Sequence, residues 1–264
     1  MLALDQDRVI AAADRGARQF CELLGTAGDP DARAIGTWRV RDVGAHLTGV
    51  SAYTAMLRGV PSPAHSIDDI AGWNAGNVAA MADLDCADLA ACVADAYREF
   101  LAEARRHPGD DLVGWHGGLR LPSSALCAVL AGEAYVHGWD IARALGRSWP
   151  LDPDDMRATF LGLLPVLPHY VDPEGADGLT ATFDIRLRGD PVARATFAFA
   201  GGRLSVPASP PERVDCRISS DPAAFLLITY GRMGLLRPVL SGRILATGRR
   251  PWLGLTLPRR FRRP

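Results

Sequence analysis

Apolar residues in the first half of the chain recur at three- and four-residue steps without strand-like alternation, a pattern that predicts helices. Four segments follow from it: Leu4 to Leu24, Val40 to Leu57, Ile70 to Arg106 with a break near Asp83 to Asp85, and Ser124 to Leu145. Turn-forming linkers separate them, at Gly25 to Pro30, Val60 to Pro63, His107 to Asp111 and Gly146 to Pro150. Four antiparallel helices imply an up-down bundle or a variant with a longer crossover. Beyond Pro150 one more helix, Asp154 to Leu167, leads into alternating runs that predict short strands of an antiparallel sheet: Thr180 to Arg188, Ala193 to Phe199, Arg203 to Val206 and Val214 to Ser219. Gly201-Gly202 reads as a hairpin turn. Asp221-Pro222 opens a further helix toward Tyr230, with Asp as N-cap and proline in the first turn. The expected fold is mixed, a four-helix bundle over residues 1–150 followed by a smaller α+β domain over residues 151–264.

Composition narrows the function classes. At 264 residues, 48% apolar and 22% charged, the chain has the make-up of an ordinary globular protein with core enough for two modest domains. No window approaches the roughly 18 uninterrupted apolar residues of a spanning helix, so the expectation is a cytoplasmic protein without a membrane partner. A net charge of -1 gives no general attraction for polyanions, which argues against nucleic acid. The basic tail Arg259, Arg260, Arg262 and Arg263 reads as a solvated, frayed terminus. Cys21, Cys86, Cys92, Cys127 and Cys216 are odd in number and irregularly spaced, and read as buried thiols outside any disulfide.

The chemistry concentrates in Gly132 to Asp140. Glu133 and His137 are four residues apart, so on a helix they share one face. They fall on the stripe Leu126, Leu130, Glu133, His137, Ile141 and Ala144, which should be the core-facing one. His46 occupies the same anomalous position in the stripe Val43, His46, Leu47, Val50, Thr54 and Leu57. Burying a carboxylate and two imidazoles without partners costs about 2–7 kcal/mol for each unsatisfied group. The three must therefore satisfy one another in a hydrogen-bonded cluster or share a cation. Two histidines and one glutamate would leave a coordination position open, as catalytic sites do and structural zinc sites do not. Asp140 is placed to orient His137 or to serve as a cap or ion-pair partner. His65, His107, His116 and His169 lie in or beside Pro/Gly-rich loops and read as surface residues. His116 is singled out because its loop precedes the helix with Glu133 and His137.

The stretch Trp38 to Leu47, the later Gly132-Glu133 and Val136 to Ala142, and the order of bundle and α+β domain resemble the mycothiol-dependent maleylpyruvate isomerase family. That family belongs to a wider DinB-like group of metal-binding bundles, and the resemblance spans the chain. It implies a divalent metal, zinc in expectation, on His46, Glu133 and His137. It also implies a sterol-carrier-like second domain, whose matching stretches include Tyr230-Gly231-Arg232 and Leu240 to Arg243. An arginine of that domain is expected to hold the substrate carboxylate or the thiol, and Arg232 and Arg243 are the candidates. The function implied is an isomerase or S-transferase that uses mycothiol or another low-molecular-weight thiol on a small electrophile, as a monomer or homodimer. Two other readings stay open: a carrier of a small apolar ligand, and a non-catalytic scaffold with a structural metal.

Overall fold

The computed structural model describes residues 5–208 and 213–262. Leu4, the expected start of the first helix, and Arg263 of the basic tail lie outside them. The described residues divide into two compact units that meet in sequence at Pro150 and Leu151.

In the first unit, α1 (Gln6–Gly25) starts where the Asp5 carboxylate accepts from the Arg8 backbone N–H, satisfying one of the helix's open donors. Its buried face, Val9, Ala13, Ala17, Phe20 and Leu24, keeps the predicted spacing. A hairpin of β1 (Arg33–Ile35) and β2 (Trp38–Arg39) then delivers the chain into α2 (Val40–Leu47). Asp42 in the first turn of α2 accepts from the Arg39 backbone N–H at 2.8 Å, which fixes the start of the helix that carries His46.

The single helix expected over Val40 to Leu57 is two, α2 and α3 (Val50–Leu57), separated by Thr48 and Gly49. Both linking residues keep right-handed helical backbone angles, so the path bends without reversing. A side chain at Gly49 would come within 2.8 Å of Asn77 and 3.1 Å of the His46 carbonyl, which only glycine avoids. Next come α4 (Ile70–Ala80) and α5 (Cys86–Ala104), broken near the expected aspartates because Asp85 caps α5 through the N–H groups of Ala87 and Asp88. A second hairpin, β3 (Leu112–Gly114) and β4 (Arg120–Pro122), precedes α6 (Ser123–Ala144). Neither hairpin shows in the sequence pattern, because strands of two or three residues are too short to alternate visibly.

Helix α6 packs against α1 and α5 and is buried on nearly every face, so the amphipathic stripe assigned to it does not exist as such. Its side chains are small where neighbours crowd it. A Cβ at Gly138 would fall 2.0 Å from the Trp149 ring, and that indole is pinned by its Nε1–H to the Tyr135 carbonyl at 2.9 Å. The glycine after His137 thus lets an aromatic plate lie directly on the backbone that carries the site.

The second unit holds α7 (Pro153–Leu163), α8 (Pro173–Ala176), β5 (Ala181–Leu187), β6 (Arg194–Ala200), β7 (Arg203–Ser205), β8 (Cys216–Ser220), α9 (Pro222–Thr229), α10 (Leu236–Leu240), β9 (Ile244–Thr247) and α11 (Leu253–Thr256). The sheet runs β7-β6-β5-β8-β9. It is not wholly antiparallel, since β5 and β8 pair in parallel, and β9 is a strand the pattern did not reveal. Phe183, Ile185, Leu187, Phe197 and Ile218 build a core with Phe160 of α7 and Ile228 of α9. Asp221 caps α9 by accepting from Ala224 N–H at 2.8 Å, as expected of Asp before Pro.

As far as Arg262 the tail is anchored rather than frayed. Leu257–Arg260 form a 3-10 turn, Phe261 pairs with Val171, and the Phe261 ring meets Phe197 and Phe199. All five cysteines are free, but only Cys86, Cys127 and Cys216 are buried; Cys21 is half-buried and Cys92 exposed.

Candidate metal centre

Helix α2 carries His46, and α6 carries Glu133 and His137. The two imidazoles converge on one carboxylate oxygen: His46 Nε2 is 3.1 Å and His137 Nε2 3.2 Å from Glu133 Oε2. The rings stand edge to face, with centroids 4.9 Å apart. The Trp38 indole covers them, 5.0 Å from the His46 ring and 6.4 Å from the His137 ring. On its far side His137 presents Nδ1 to Asp140 Oδ2 at 3.2 Å. Asp140 is buried, whereas the Glu133 side chain is 23% exposed, so the cluster opens to the surface along its carboxylate edge.

Charge and burial oppose each other here. Burial works to raise the Glu133 pKa, but the His137 and His46 contacts outweigh it and leave the carboxyl below the ordinary range. For His137, burial disfavours the charged form, yet Asp140 and Glu133 together raise its pKa. Each Nε2 to Oε2 contact needs a proton or a cation between two lone-pair-bearing atoms. If His137 gives its Nδ1 proton to Asp140, its Nε2 is left as a lone pair facing Glu133, the arrangement in which a carboxylate orients a metal-binding histidine.

The donor set fits a divalent ion in type and in spacing. The three ligand atoms lie within 4.8 Å of one another. For metal bonds near 2.05 Å, the edge of a tetrahedron is about 3.3 Å, close to the contacts at Glu133. No other group of three or more His, Cys, Asp or Glu side chains among the described residues is so arranged.

The arginines belong to the second unit, and each has a local structural partner. Arg243 Nη2 donates to Asp221 Oδ1 at 2.6 Å, bracing the carboxylate that caps α9. Arg232, just past the end of α9, donates to the Tyr230 carbonyl at 2.7 Å.

The surface reading of the loop histidines fails for one of them. His65 is exposed and His107 and His169 are half-buried, but His116 is fully buried. Its polar contacts are with Ser62 and Tyr53, neither of which stands out in the sequence. The local signal is the aromatic and glycine context Trp115-His116-Gly117-Gly118, whereas Tyr53 and Trp73, which pack on the ring, lie far off in sequence.

The comparisons with known proteins agree with this architecture. Residues 10–142 match the model of the mycothiol maleylpyruvate isomerase N-terminal domain, and residues 168–248 match that of the SCP-2 sterol transfer family. No curated protein matches the chain. Among solved structures the chain is similar to the mycothiol-dependent maleylpyruvate isomerase, with 13% identity, TM-score 0.55, and coverage of 92% of this chain and 93% of that one. A histidine-to-alanine mutant of that isomerase matches at 12% identity and TM-score 0.53, over the same shares of each chain. At such identity the likeness speaks for the fold. The chain thus belongs to the mycothiol maleylpyruvate isomerase family through its helical unit with the facing histidines, and the sheet unit that follows is its SCP-2-like domain.

Proposed function

We propose that this protein is a metal-dependent enzyme that uses mycothiol, or a closely related low-molecular-weight thiol, either to isomerise a small electrophile with an activated double bond or to transfer the thiol sulfur to it. The observation that carries this reading is the convergence of His46, Glu133 and His137 on one point, with Asp140 behind His137. A bound divalent ion, best zinc, would supply the Lewis acidity that keeps the thiol as thiolate near neutral pH. His46, Glu133 and His137 would hold it, and three protein ligands leave room for one more.

The chain's own contribution is positional. Asp140 fixes the His137 tautomer, and Trp38 shields the imidazoles from solvent. Glu133, the most exposed of the three, marks the side from which a small molecule enters. The thiol held there would supply the nucleophile: addition to one alkene carbon would move the π pair to the conjugated carbonyl oxygen, after which rotation and loss of the thiolate would give the trans isomer, and protonation at carbon would give the thioether. Arg232 and Arg243 are the proposed holders of a substrate carboxylate, and the Asp221 partner makes Arg243 the more structural of the two.

The test is optical. Cobalt-substituted protein should change its visible absorption when mycothiol is added, as sulfur enters the coordination sphere. An unchanged spectrum at saturating thiol would contradict the proposal.

A further inference from the structure

The second unit holds a charge arrangement that the proposed thiol chemistry does not use. Asp184 is the one acid in the five strands of its sheet, and Arg186, Arg194, Arg203 and Arg217 are their cations. Register and alternation put all five on one face, opposite to the face of Phe183, Ile185, Phe197 and Ile218. Asp184 stands beside Thr196 and Arg217, Arg186 beside Arg194 and Ser219, and Arg203 beside Ala200.

Three of these cations close on the carboxylate. Arg186 meets Asp184 Oδ2 through Nε at 2.9 Å and Nη2 at 2.8 Å. Arg194 donates from Nε to Oδ1 at 2.6 Å and from Nη2 to Oδ2 at 3.2 Å, and Arg217 donates from Nε to Oδ2 at 3.0 Å. Asp184 is fully buried beneath them, while the three arginine side chains stay 43%, 38% and 45% exposed. The carboxylate is therefore the floor of the cluster and the guanidinium groups are its rim. A guanidinium has five N–H donors, so much of the rim is unused. Both terminal nitrogens of Arg217, and Nη1 of Arg186 and of Arg194, have no acceptor among the described residues.

The charges do not balance. Three cations and one anion leave a net charge of +2, and Arg186 and Arg194 repel each other directly across β5 and β6. Free arginine side chains would relieve this by spreading into solvent. Here the bonds to Asp184 hold all three together, so their remaining donors share one small area before any ligand arrives, which lowers the ordering cost of binding. A phosphate monoester suits that rim in two ways. It approaches two negative charges at pH 7, and its oxygens pair with the guanidinium fork two at a time.

We propose that the outer face of the Arg186, Arg194 and Arg217 cluster binds a phosphate group, carried by a small soluble ester or by a lipid headgroup. Asp184 is the positioning residue, and the site needs neither the metal nor the thiol.

The experiment titrates inorganic phosphate into the full chain by calorimetry, in sodium chloride at physiological strength so that weak surface attraction is screened. The wild type should bind one phosphate per chain. Arg217→Gln should weaken binding about tenfold or more, the loss of a hydrogen bond between charged groups. Arg217→Lys keeps the charge without the fork and should fall between the two. Arg203→Gln removes a charge from the same face without touching Asp184, and should change affinity far less. Far-UV circular dichroism checks that each variant is folded. Phosphatidylcholine vesicles containing phosphatidic acid then separate the two sources: retention of the wild type but not of Arg217→Gln assigns a lipid headgroup, and phosphate binding without retention assigns a soluble ester. No saturable phosphate binding by the wild type, equal affinity in the wild type and Arg217→Gln, or an equal loss in Arg203→Gln and Arg217→Gln would each overturn the assignment.

Discussion

Each unit buries a carboxylate among cationic or potentially cationic side chains, and the two sites differ in what they can do. Asp184 on β5 is fully buried and receives Arg186 at 2.8 Å, Arg194 at 2.6 Å and Arg217 at 3.0 Å. Burial works to raise its pKa, but the three guanidinium groups hold it low. Guanidinium neither loses its proton nor offers a lone pair, so this cluster cannot hold a metal. It offsets a cost the sheet creates for itself, since Arg186 and Arg194 stand directly opposite across β5 and β6. Glu133 faces imidazoles instead, which in their neutral form present lone pairs, and its side chain keeps 23% exposure. The identity of the partners, more than the burial of the carboxylate, separates a strut from a candidate ligand set.

That contrast is open to direct attack, the largest effect coming from the strut. Asp184→Asn leaves three facing guanidinium groups uncompensated and should cost about 2–3 kcal/mol in chemical denaturation, at the lower end for a broken buried pair because the arginines are partly solvated. A loss below about 0.5 kcal/mol, the scatter of ordinary surface substitutions, would mean the cluster braces nothing.

Next in size is the residue behind His137. Asp140→Asn should lower metal affinity by about 10- to 100-fold while leaving the three ligands in place. Competition with a chromophoric chelator measures this, and unaltered affinity would reduce Asp140 to a packing role.

The smallest effect concerns acid stability. His116 binds a proton near pH 6.5 when unfolded but only near pH 4 when folded, so the unfolded state holds more protons between those values. Its contribution is complete above pH 6.5 and is lost as pH falls toward 4. The wild type should lose on the order of 2 kcal/mol from this residue between pH 7 and pH 5, and His116→Gln should remove that part of the slope. Parallel stability curves for the two proteins would contradict the burial account.

Much of this architecture is legible in the sequence because it is local. The helical spacing through Val9, Ala13 and Phe20, the cap at Asp85 and the Asp221-Pro222 start each declare themselves within a turn or two of chain. The out-of-place polarity of His46, Glu133 and His137 is likewise visible along single helices. What escapes depends on distant partners. Asp184 lies on an alternating strand that gives no sign of its partners, which register with β6 and β8 supplies. The parallel pairing of β5 with β8 leaves no mark in either strand. Asn77 leaves no room for a side chain at Gly49, where α2 and α3 separate, and Trp73 and Tyr53 pack on His116, contacts that the local pattern does not contain.

The central claim is that His46, Glu133 and His137 together form one metal site. Its most direct test is the metal content of zinc-exposed, buffer-exchanged protein, measured for the wild type and for His46→Ala, Glu133→Ala and His137→Ala alongside far-UV circular dichroism. The account predicts one zinc per wild-type chain and almost none in each variant, with helical content unchanged because the flanking Val43, Leu47, Leu130 and Ile141 keep the core. Full zinc in all three folded variants, or none in the wild type, would contradict it.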